Sequence, residues 1–124
     1  MFTLRHVGIT VTNMKKSLTL YRDYFGLEVV WDELEEGKFI SNLMGEDDVR
    51  VNTVKMKDSN GGMVELLQFH SHPKNNNENL KHKVKNISCS HFALTVDNLD
   101  KVYNDLKNMG LTFICKPDLS ADGG

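Results

Sequence analysis

Hydrophobic and polar positions alternate near the start of the chain. Val7, Ile9 and Val11 share one parity and His6, Gly8 and Thr10 the other, which predicts a strand with one apolar face. The period then changes. Met14, Leu18, Tyr21 and Phe25 recur at spacings of three and four, the stripe of an amphipathic helix, with Asn13 as its cap and Gly26 as the permissive residue that ends it. Residues 27–34 read as a second strand, and Phe39, Ile40, Leu43 and Met44 predict a short helix within 35–48. Residues 49–56 alternate β-branched with polar side chains, Asp58-Ser59-Asn60-Gly61-Gly62 is a turn signal, and residues 63–69 follow as a strand, so a hairpin is expected. One unit of strand, helix and three strands occupies about residues 1–69.

That unit recurs. The run His6-Val-Gly-Ile-Thr-Val-Thr-Asn-Met14 reads onto His91-Phe-Ala-Leu-Thr-Val-Asp-Asn-Leu99, about 85 residues later, with His, Thr, Val and Asn at equal offsets. The match continues through Lys16 and Lys101, then slips by about one residue so that Gly26-Leu27 answers Gly110-Leu111. In the second copy Asn98 or Asp97 caps a helix carrying Leu99, Val102, Leu106 and Met109. Between the copies, residues 70–86 are rich in Asn, Lys and His without periodicity and read as a linker, so a partial second unit occupies about 87–124, beginning at Ile87.

A chain of 124 residues with 40% apolar side chains suits one domain. Its 15 basic and 17 acidic residues form no basic stripe interleaved with aromatic residues, which argues against a nucleic-acid partner. Cys89 and Cys115 form no CxxC pair, the N-terminal sequence lacks targeting character, and no run of about 18 apolar residues occurs. The expectation is a cytoplasmic protein without a membrane partner.

Three side chains carry candidate chemistry. His6 and His91 hold the same position in the two repeats, so pseudo-twofold pairing of the units would bring both imidazoles to one point. Glu65 lies in the apolar strand Met63-Val-Glu-Leu-Leu-Gln-Phe69, where a carboxylate needs a cation or hydrogen-bond donors. Histidine and glutamate suit a divalent ion. Other features have plainer readings. His70-Ser71-His72 and His82 belong to the solvated linker, Asp32-Glu33-Leu34-Glu35-Glu36 to a solvated strand end, and Gly61-Gly62 to the hairpin. Cys89 shares the strand face of His91 and reads as a packed small hydrophobe; Met63 and Phe69 share the face of Glu65, as cavity lining or as core.

A repeated βαβββ unit that opens with His-x-x-x-x-Val and closes with a Glu-Leu-Leu strand resembles the vicinal oxygen chelate superfamily, which includes lactoylglutathione lyase (glyoxalase I), methylmalonyl-CoA epimerase, extradiol dioxygenases and bleomycin resistance proteins. The resemblance implies an α+β fold, two βαβββ units forming a curved mixed sheet around a metal cavity. It implies a divalent metal (zinc, nickel, iron, cobalt or manganese) held by His6, Glu65 and His91, with Glu65 also a candidate base. A fourth ligand, a Glu on the last strand of the second unit, is expected at roughly position 149, beyond Gly124, so either the sequence is truncated, the favoured expectation, or the second unit is incomplete at its C-terminus. The implied activity is that of a metal-dependent lyase or isomerase acting on a small oxygenated substrate through an enediolate or enolate. An extradiol-type ring-cleaving dioxygenase and a metal-free small-molecule-binding protein of the resistance type are the alternatives, and a homodimer is the implied assembly.

Overall fold

The computed structural model describes residues 1–72 and 91–120. The reading of residues 73–86 as linker, the start of the second unit at Ile87, and the roles given to His82 and Cys89 fall outside them. The chain divides into two compact units, Met1–Asn77 and Glu78–Gly124.

The first unit realises the predicted strand, helix and three strands. Strand β1 (Val7–Thr10) is followed by Asn13, whose Oδ1 accepts the Lys16 amide at 2.9 Å and opens α1 (Met14–Leu18). The helix then widens. Thr19–Tyr24 is π-helical where the stripe predicts one continuous α-helix, and the Phe25 amide donates to the Leu20 carbonyl at 2.8 Å. Tyr21 and Phe25 still reach the core from this wider turn, so an apolar spacing of three and four does not tell the two helical forms apart. Gly26 closes the segment at φ 74°, in the left-handed region that glycine adopts without penalty.

Three strands follow: β2 (Glu28–Glu36), β3 (Arg50–Lys57) and β4 (Met63–Phe69), with α2 (Lys38–Met44) between β2 and β3. They form one mixed, unclosed sheet in the order β1-β4-β3-β2, in which β1 pairs parallel with β4 and the other pairs are antiparallel. The β3–β4 hairpin is tied by Asp58, whose amide donates to the Gly62 carbonyl at 2.9 Å and whose Oδ1 accepts the Asn60 and Gly62 amides at 2.8 Å each. Alternation divides the sheet into two faces. Val54, Met56 and Leu66 are fully buried beneath Met14, with Ile9, Leu18, Tyr21, Phe25 and Val29 packed around them. On the opposite face, α2 closes one end of the sheet by packing Ile40 against Val49 and Val51, with Met44, Leu67 and Phe69 around them.

Burial raises the Tyr21 hydroxyl above the usual tyrosine pKa of about 10. The unfolded chain therefore loses this proton first as pH rises, and the stability Tyr21 contributes is present below about pH 10 and lost as pH climbs through the folded value. Tyr21→Phe has no proton to lose. Its urea midpoint is expected to fall less than that of the unsubstituted protein between pH 8 and pH 10.5; equal falls contradict the assignment.

In the second unit, α3 (Leu99–Asn108) begins at Asn98, whose Oδ1 accepts the Lys101 amide at 2.9 Å. This repeats the Asn13 cap and selects Asn98 over Asp97. Leu106 is the buried residue of this helix. Residues 91–96, which repeat the sequence of the first strand, carry no strand pairing among the described residues. Alternating sequence makes a strand only where a neighbouring backbone takes up its hydrogen bonds, as β4 does for β1. No helix among the described residues is long and apolar enough to cross a membrane.

Candidate functional site

The face opposite α1 carries a polar row that runs across all four strands. His6, immediately before β1, places Nε2 3.0 Å from Oε2 of Glu65 on β4. Parallel pairing makes this possible, because Gly8 stands opposite Glu65 and His6 shares the parity of Gly8. A Cβ at Gly8 would meet Leu67 Cδ1 at 3.5 Å and Glu65 Oε2 at 4.0 Å, both ordinary contact distances. Both groups are sheltered, with side chains 29% and 13% exposed. The two side chains form an ion pair when the imidazole is protonated. His6 Nδ1 is buried and has no hydrogen-bond partner among the described residues.

Two members of the row were not singled out from sequence. Lys55 on β3 stands directly opposite Glu65 and brings Nζ 3.6 Å from Oε1, its side chain 23% exposed. The signal for it was present: a hairpin turned about Asn60 pairs residues equidistant from it, and Lys55 and Glu65 are equally far away. Trp31 on β2 completes the row, its ring 5.4 Å from Lys55 Nζ and its Nε1 donating to Thr53 Oγ1 at 3.2 Å. Simple alternation from Val29 assigns Trp31 to the α1 face. A bulge at Val30 reverses this, since Val29 pairs with Met56 whereas Trp31 pairs with Lys55.

Of the three residues that sequence reasoning singled out, the first unit brings His6 and Glu65 together, and no third His, Cys, Asp or Glu among its described residues joins them as a metal-holding group. His91 belongs to the second unit, where it is exposed. The Glu65 carboxylate has the cationic neighbour that its strand demands, Lys55, with His6 at its other oxygen. Phe69 packs with the α2 cluster and is core rather than cavity lining. His70 and His72 are exposed, as a solvated linker predicts, and His72 Nδ1 lies 2.7 Å from Ser71 Oγ. A separate surface cleft beside α2 is lined by Glu36, Lys38, Ser41, Asp48 and Arg50. Its polar groups bind the fold together: Ser41 Oγ accepts the Val49 amide at 3.0 Å, and Arg50 pairs with Glu36 at 3.3 Å. Cys115 is a free, exposed thiol.

The donor set suits a divalent ion. Ligands about 2.0–2.2 Å from a shared metal stand roughly 3 Å from each other, and His6 Nε2 and Glu65 Oε2 already hold that separation. A metal would sit between them. Lys55 is the one feature set against it, a cation already at the other carboxylate oxygen.

A βαβββ sheet with one face packed by a helix and a histidine–carboxylate pair on the other defines a small α+β module built to present polar side chains from several strands at one place. Residues 3–124 match the Glyoxalase/Bleomycin resistance protein/Dioxygenase superfamily, and the chain belongs to that family. It is similar in structure to a glyoxalase family protein from Bacillus cereus, with a TM-score of 0.73 at 17% sequence identity, covering 97% of this chain and 82% of that one. Comparison with curated proteins finds no match.

Proposed function

We propose that this chain is a metal-dependent, glyoxalase-like lyase or isomerase of a small oxygenated substrate, with His6, Glu65 and His91 as its metal ligands. The observation that carries the reading is the 3.0 Å approach of His6 Nε2 to Glu65 Oε2 on the face opposite α1, in a family that commonly uses such ligands. A divalent ion held there supplies Lewis-acid stabilisation of negative charge that develops on a substrate oxygen. The chain's own groups do the rest. Glu65, sheltered among Met63, Leu67 and Lys55, is the base that takes a proton from the carbon beside that oxygen. His6 and Glu65 would hold the ion, and His91 joins as third ligand on the strength of its repeat position. Homodimers are the proposed assembly.

Elemental analysis of the purified full chain after exposure to zinc, nickel, cobalt, iron and manganese tests the proposal. About one ion per chain or per site is expected to survive desalting. Retention of none sinks it. Iron retention with oxygen uptake on catechols would move the assignment to a ring-cleaving dioxygenase. One observation favours a second reading, a metal-free small-molecule-binding protein: the Lys55 ammonium already stands 3.6 Å from Glu65 Oε1, where it opposes a second cation. That reading expects no bound metal and an unimpaired ligand-binding face.

A further inference from the structure

We infer that Lys55 is a resident cation that competes with a divalent metal for Glu65, so that metal entry requires the Lys55 ammonium to leave the carboxylate. This rests on the reading of His6 and Glu65 as ligands. The two oxygens of Glu65 have different neighbours, His6 Nε2 at Oε2 and Lys55 Nζ at Oε1. With side chains only 13% and 23% exposed, the carboxylate and ammonium stand 3.6 Å apart in partial shelter from solvent. A dication placed between His6 and Glu65 would face the ammonium across one carboxylate. Repulsion then acts on the Lys55 side chain rather than on its backbone, which is held by pairing on both sides, to Glu65 and to Trp31.

The geometry also supplies a reporter. The ammonium stands 5.4 Å from the centre of the Trp31 ring, and that ring is anchored through Nε1 to Thr53. Trp31 is the only tryptophan of the chain. Movement of Lys55 therefore alters the surroundings of a single fluorophore. Zinc is a suitable probe, since its closed d shell does not itself quench emission strongly.

The test compares zinc binding by calorimetry and Trp31 emission for the full chain, Lys55→Met and Lys55→Arg. Lys55→Met keeps the apolar stem and removes the charge; changes beside a metal ligand shift affinity by roughly 10–100-fold, and a tightening in that range is expected. Lys55→Arg keeps the charge and should bind zinc about as weakly as the unsubstituted protein. Zinc should change Trp31 emission in the unsubstituted protein and leave it nearly unchanged in Lys55→Met. Unaltered affinity in Lys55→Met, or zinc binding to the unsubstituted protein without any change in emission, overturns the role of Lys55 while the metal site stands. Zinc binding by Lys55→Met alone supports the role. Absence of binding in every form overturns both this role and the metal reading. Where the unsubstituted protein binds zinc, its emission tests the role even if a variant folds poorly.

Discussion

Glu65→Gln is expected to lower divalent-metal affinity by more than about 100-fold, because removal of a mere neighbour of a metal ligand already costs 10–100-fold and this change neutralises a ligand itself. Glutamine keeps the length and the strand position, so the β4 pairing with β1 and β3 survives. What it removes is the negative charge on which His6 and Lys55 converge. Calorimetric titration with zinc, beside circular dichroism to verify the fold, checks the prediction. An affinity equal to that of the unsubstituted protein would show that any ion is held elsewhere, and His6→Ala should then be equally silent.

The second large effect is on stability. Leu66 is 0% exposed on β4, with β1 on one side and β3 on the other, and it packs with Val54, Met56, Met14 and Leu27. Leu66→Ala removes the hydrophobic transfer of the lost carbons and leaves a cavity that close-packed neighbours fill only in part, a cost of about 2–5 kcal/mol. Against the 5–15 kcal/mol that small domains possess, this is a large share. Urea unfolding monitored by circular dichroism should show a much lower midpoint. Leu43→Ala on α2 is the control: Leu43 is 65% exposed, so a change within about 0.5 kcal/mol is expected.

The two predictions separate what Glu65 and its neighbour do. Adjacent residues of one strand face opposite ways, so Leu66 serves the core beneath α1 while Glu65 stands in the polar row on the other face. Metal affinity should follow Glu65, and unfolding free energy should follow Leu66. This division explains why a strand read as mostly apolar tolerates a carboxylate: only one of its faces is sealed by α1.

Much of this organisation was legible in the sequence. The alternation of Val7 and Ile9, the caps at Asn13 and Asn98, the stripe through Phe25, and the turn from Asp58 to Gly62 are local signals, set by neighbours a few residues away, and the structure carries each of them. The repeat singled out His6 and His91, and the apolar setting of Glu65 demanded a cationic or donating partner. Which partner it has was decided by pairing. The parallel β1–β4 contact brings His6 to Glu65, the hairpin brings Lys55, and the bulge at Val30 turns Trp31 toward Lys55. Likewise, residues 91–96 have a strand-like sequence but no strand pairing among the described residues. Periodicity thus determines what a segment is ready to become and which side chains share its face. Hydrogen-bonded neighbours in the folded sheet decide whether the strand forms and which charges meet, because those contacts join residues that are distant in the chain.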